Sequence, residues 1–172
     1  AYTLHDGPLA TRNLEDHQAF FTHQQRREDF EFVGLDPSRG ALGYARHVGL
    51  IGAAVAVNLE TEPLSETDSE TLRSADLIIS TGCVGYATVR TFQQVYDATA
   101  ASRPWVASFA MHPFGYGGIA AMLAGFGLVT TECPHLRQRQ RRFSTAQERA
   151  SILALMTEQG MDDRLERTTG YI

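Results

Sequence analysis

A chain of 172 residues with 43% hydrophobic side chains can enclose one sizeable core and is short for two, so a single domain over 1–172 is expected. Its 15 basic against 20 acidic side chains, a formal net charge of −5, exclude a molecule drawn as a whole to nucleic acid or to an anionic membrane. No apolar run approaches the ~20 residues of a membrane-spanning helix and no charged-then-apolar leader opens the chain. Cys83 and Cys133, the only cysteines, fit no CxxC or zinc-ligand spacing, and a cytoplasmic protein is expected.

In chain order, Asn13 offers a cap ahead of Glu15 and Asp16, which predicts a helix from Asn13 to about Arg27. Phe30, Phe32 and Leu35, with Val33 between, suit a strand that ends at Asp36. Ala41, Leu42, Ala45 and Val48 then recur at helical spacing, with Gly49 as the stop. "GAAVAVNLE" reads as a strand, "TEPLSETDSETLRS" as a loop with one helical turn, and "ADLIIST" as another strand. "TVRTFQQVYDATAA" reads as a helix, "PWVASFAM" as a strand, "GGIAAMLAGFG" as a helix and "LVTTE" as a strand. The end reads as an antiparallel edge strand in "LRQRQRRFS" and a helix from Thr145 to about Gln159.

Helix and strand alternate, and the strands are continuous apolar runs of the kind buried on both faces. The pattern predicts an α/β fold: a Rossmann-like open, mostly parallel sheet with helices on both faces and right-handed crossovers.

In such sheets ligands bind beyond the carboxyl ends of the strands. Asp36 ends a strand there, and its two carboxylate oxygens suit a vicinal diol; alone, it is better explained by the turn chemistry of "DPS". Asn58 carries both a donor and an acceptor for a heterocycle edge, Leu59 an apolar face for a flat ring, and glycines at 82 and 85 admit a ligand close to backbone.

"FVGLDPSRGALGYAR", "AVAVNLETEPL" and "ADLIISTGCVGYATVRTF" follow one another in the order and spacing of class I S-adenosylmethionine-dependent methyltransferases, and the sequence resembles that family from about Phe30 to Glu132. The resemblance implies methyl transfer to a small molecule. It puts the ribose of S-adenosylmethionine at Asp36, with Ser38 beside it, and the adenine at Asn58 and Leu59. Thr81, Gly82 and Cys83, after Ser80, border the methionine part, and Tyr86 and His112 face the substrate.

The family's Gly-rich loop, which follows a first, central strand upstream of the acidic strand end, has no counterpart here beyond Gly7 in "HDGPLATRN". A sheet lacking that strand exposes unpaired backbone on two rows. The chain is then a piece of a longer protein, borrows a strand from a partner, or closes its strands in a new order. The competing reading is an inactive methyltransferase-like scaffold or a regulatory homodimer.

Gly115, Gly117 and Gly118 with Glu132 imitate a dinucleotide fingerprint, but the third glycine comes too early, and the segment reads instead as the fifth strand and its helix. His17 and His23 share no helix face and no metal site is expected. His112, just past a strand, is the histidine placed to take a proton from a hydroxyl or amine, although a loop histidine hydrogen-bonded to backbone is the simpler reading of it. Cys83 lacks a readable His-Asp arrangement and reads as a small packed side chain, while Tyr86 and Phe114 suit the wall of a pocket. The basic run Arg137 to Arg142 reads as a charge-protected edge strand rather than a nucleic-acid site.

Overall fold

The computed structural model describes residues 13–23, 29–133 and 141–172. They gather into two compact units: residues up to Leu77 together with Arg90–Trp105, and Ile78–Val89 together with Val106–Ile172.

In the first of these, α1 (Leu14–His23) starts where expected, with Asn13 Oδ1 accepting from the Asp16 amide at 2.9 Å; residues 24–28, the rest of the expected helix, and Gly7 lie outside the described residues. β1 (Val33–Leu35) pairs in parallel with β2 (Ala53–Val55), Val33 opposite Ala53 and Leu35 opposite Val55. The Asp36 amide adds a bond to the Val55 carbonyl at 3.2 Å, so the ladder closes at the aspartate. α2 (Arg39–His47) packs on both strands and buries Leu42. Ser38 Oγ caps it by accepting from the Ala41 amide, and Gly49, at φ 74°, ends it while the Leu50 amide reaches the Ala45 carbonyl; this is the left-handed exit glycine permits.

The polar stretch after β2 holds more helix than one turn. α3 (Glu66–Leu72) is set by Ser65, whose hydroxyl oxygen accepts from the Asp68 amide at 3.1 Å and donates to the Asp68 carboxylate at 2.6 Å, a reciprocal cap that local polarity alone does not reveal. α4 (Val89–Thr99) turns Phe92 and Tyr96 into the core of this unit, beside Val55, Leu59 and Leu72. Gln94 on α4 fixes the loop after β2, donating to the Leu59 carbonyl at 2.8 Å and accepting from the Leu64 amide at 3.0 Å.

β3 (Leu77–Thr81) and β4 (Trp105–Phe109) form the other parallel pair, extended by the Gly82 amide donating to the Phe109 carbonyl at 2.9 Å. α5 (Gly117–Gly125), α6 (Ala146–Glu158) and α7 (Arg164–Thr169) complete that unit, whose core includes Met111, Ile119, Leu123, Leu153 and the fully enclosed Met156. Thr145 caps α6 as expected. α7, which ends at Gly170 with φ 70°, was not foreseen.

Three expectations need correction. The strands do not join in one open sheet among the described residues: there are two sheets of two strands each. The apolar runs predicted burial on both faces, yet Leu77 is 42% and Ile79 54% exposed, as a pair without a third neighbour allows. "LVTTE" forms no strand either; the chain leaves α5 through Gly127 at φ 84°, no ladder receives it among the described residues, and Val129 stays 90% exposed. Of the expected edge strand, residues 136–140 lie outside the described part. Its end makes an antiparallel bridge, Arg142 to Tyr171, flanked by two bonds between Arg141 and Ile172. No described helix is long and apolar enough to cross a membrane.

Candidate functional site

The residues singled out from sequence divide between the two units, and in each they sit at the carboxyl ends of strands. Asp36 directly follows β1 and is exposed. Its Oδ1 accepts from the Ser38 amide at 2.7 Å, which fixes the carboxylate over the start of α2 and leaves Oδ2 without a hydrogen bond among the described residues. The Ser38 hydroxyl is already used in capping α2.

Asn58 is also exposed and lies three residues beyond β2. Its Oδ1 accepts from the Glu60 amide at 3.1 Å, and its carbonyl accepts from Thr61 and Glu62. The turn is therefore built by Asn58 itself, with the Nδ2 donor not consumed by it. Leu59, expected to face a ring, is 2% exposed and belongs to the core; its surface is spent on packing. The Thr91 hydroxyl, donating to Glu60 at 2.6 Å, and Gln94 hold this loop to α4. A shallow groove of about 250 Å³ lies between α2 and β2, lined by Arg39, Leu42, Gly43, Arg46, Ala54 and Ala56, and does not include Asp36.

In the other unit, Ser80 is buried at the end of β3, and its Oγ is 2.8 Å from Cys83 Sγ. Thr81 is exposed, and Gly82 turns the chain at φ 64°. The loop after β3 closes with the Tyr86 and Ala87 amides both donating to the Cys83 carbonyl. Gly85, at φ 110°, meets the Phe114 ring so closely that an added Cβ would stand 2.8 Å from it. The loops after β3 and β4 therefore pack on each other. Cys83, half-buried, is held by Ser80 and has no histidine base drawn to it among the described residues. Tyr86 is 64% exposed and stands clear of the core.

His112 lies three residues past β4, with Nδ1 3.5 Å from Glu166 Oε1; its side chain is 35% exposed while that of Glu166 is 7% exposed. Glu166, on α7, was missed by sequence reasoning because nothing local marks a charged residue in a short polar helix as buried. The described residues contain no group of three or more His, Cys, Asp or Glu able to hold a metal ion.

Two arginines of the basic run are committed. Arg141 makes a two-pronged contact with Glu148, at 2.6 and 3.1 Å, and that guanidinium together with Ser144 lowers the Glu148 carboxyl to about 2. Arg142 donates to Tyr171 Oη at 3.1 Å and stacks 5.4 Å from the ring centre. Both are structural ties rather than a free phosphate-binding face.

No protein-family model matches this chain, and neither curated proteins nor solved structures furnish a match to it.

Proposed function

We propose that the protein transfers a methyl group from S-adenosylmethionine to a small molecule. The observation that carries this reading is positional: Asp36 and Asn58 in the first unit, and, separately, Thr81 to Cys83 and His112 in the other, lie at or just beyond the carboxyl ends of parallel strands, the end at which α/β folds bind ligands. The available chemistry fits the donor. Asp36 Oδ2 can accept from a ribose hydroxyl, and Asn58 Nδ2 can donate to a heterocycle nitrogen. Bound there, S-adenosylmethionine supplies an electrophilic methyl on a sulfonium, and the protein's work is largely to orient it and the acceptor.

Calorimetric titration of the protein with S-adenosylmethionine and S-adenosylhomocysteine tests this. Micromolar binding that Asp36→Ala weakens about 10- to 100-fold, the loss of hydrogen bonds to a charged acceptor, supports it; no heat with millimolar ligand refutes it.

A second reading, a catalytically silent module that pairs with a copy of itself, is favoured by the apolar side chains exposed along short strands, Val33 at 36% and Ile79 at 54%. Edges of this kind invite another strand. Sedimentation velocity decides it: a dimer dispersed by Ile79→Lys, with no cofactor binding, favours the module.

A further inference from the structure

The groove between α2 and β2 lies wholly within the first unit, apart from the strand-end residues. Arg39 and Arg46 stand at its two ends, with Leu42 and Gly43 of α2 on one side and Ala54 and Ala56 on the other. Seven residues of helix put the two arginine Cα atoms about 10 Å apart along it. Both arginines are exposed, and neither guanidinium has a hydrogen-bond or ion-pair partner among the described residues. Asp36, the acid nearest to Arg39 in sequence, is turned to the Ser38 amide. In a chain whose Arg73, Arg141, Arg164 and Arg167 each meet a carboxylate, two uncommitted guanidiniums on one groove mark a place for negative charge from outside.

The wall made by β2 is a strand edge. The Asp36 amide donates to the Val55 carbonyl and Gly34 stands opposite Ala54, so in a parallel ladder Ala53 and Val55 address β1 while Ala54 and Ala56 turn their N–H and C=O outward. β2 has no second neighbour, and these outward groups meet no partner among the described residues. The side chains of the same two alanines face α2: a Cβ added to Gly34, which shares the face of Ala54, would stand 3.0 Å from Leu42. Across the groove, a Cβ added to Gly43 would meet nothing within 4 Å. Small residues on both walls therefore leave room for the side chains of a further strand.

We propose that the outer edge of β2 takes up an extended acidic peptide as a third strand, with two carboxylates four residues apart on Arg39 and Arg46 and a small apolar residue midway beside Gly43. Every second side chain of such a strand enters the groove, and positions i and i+4 lie about 13 Å apart; the arginine arms absorb the difference. At about 250 Å³ the groove is smaller than the roughly 300–1,000 Å³ of pockets that enclose a small molecule. An open edge supplies main-chain bonds that need no depth, and the alternate pockets read the side chains.

Fluorescence anisotropy with the labelled peptide TETATET, in which two glutamates flank an alanine at this spacing, tests the proposal together with ¹H–¹⁵N spectra and amide exchange of the protein. The peptide should bind, its glutamine analogue TQTATQT about 10-fold or more weakly, and Arg39→Gln and Arg46→Gln should each weaken TETATET about 3- to 10-fold. The Ala54 and Ala56 amides should shift and gain exchange protection, which a loose ionic contact does not produce. Gly43→Leu is the decisive variant: it replaces glycine by a good helix former and should raise Tm, while it fills the groove and abolishes binding. No binding at millimolar TETATET overturns the proposal. So do equal affinity for TQTATQT, unchanged Ala54 and Ala56 amides, or a Gly43→Leu protein that melts higher and still binds. Polyphosphate shifting the same amides as strongly makes the groove a general anion site, and self-association that Gly43→Leu removes, with no response to peptide, assigns it to a second copy; either result overturns the proposal as well.

Discussion

Replacing Glu148 by glutamine probes the joint between the C-terminal bridge and α6. The carboxylate accepts from Arg141 through two bonds and from the amide and hydroxyl of Ser144, both at 2.7 Å, while its own amide donates to Thr145 Oγ1. The Arg141 guanidinium above all, and then Ser144, bring the carboxyl from 4.5 to about 2. Taken whole, that would be about 3 kcal/mol. Arg141 is 39% exposed, however, and solvent screening leaves about 1 kcal/mol. For a chain of this length the corresponding fall in Tm is about 2–4 °C. Because the folded-state value is depressed, the contribution is complete above pH 4.5 and disappears as the pH falls through about 2. Melting of wild type and Glu148→Gln by circular dichroism between pH 7 and 2.5 should show a constant gap down to about pH 5 that closes in acid. A gap independent of pH, or one that widens on acidification, refutes the reasoning.

Gly85→Ala should cost about 2–3 kcal/mol in urea denaturation, since φ 110° disfavours a side chain and the new Cβ would press on Phe114; combined with Phe114→Ala the two losses should fall short of their sum. Met156→Ala, at a site with no exposure, should lose about 2–5 kcal/mol by the same measurement, by opening a cavity. Saturation with S-adenosylhomocysteine at 100 times its Kd should add about 2.7 kcal/mol of stability, read as a rise in Tm that Asp36→Ala reduces.

Local rules carried the order of elements well. Periodicity with Asn13 and Gly49 located α1 and α2, and Thr145 began α6, because caps and apolar spacing are written within a few residues. Sheet architecture was less legible. Which strands pair depends on partners distant in sequence, and runs such as Leu77 to Ile79 look alike whether a sheet covers them or leaves them bare. Asp36 and Asn58 could be singled out because strand ends are local features. Glu166 and Gln94 could not, since their meaning arises only from contacts with His112 and with the loop after β2. Leu59 shows the converse: an apolar residue beside a candidate site gives no sign, in sequence, of facing inward or outward.

Asp36 is restrained twice over. Its amide is tied to β2 through the Val55 carbonyl and its Oδ1 to Ser38, itself the cap of α2. Its orientation is thus prepaid by folding: a hydroxyl-bearing molecule arriving at Oδ2 meets a stationary acceptor and loses little rotamer freedom in making the bond.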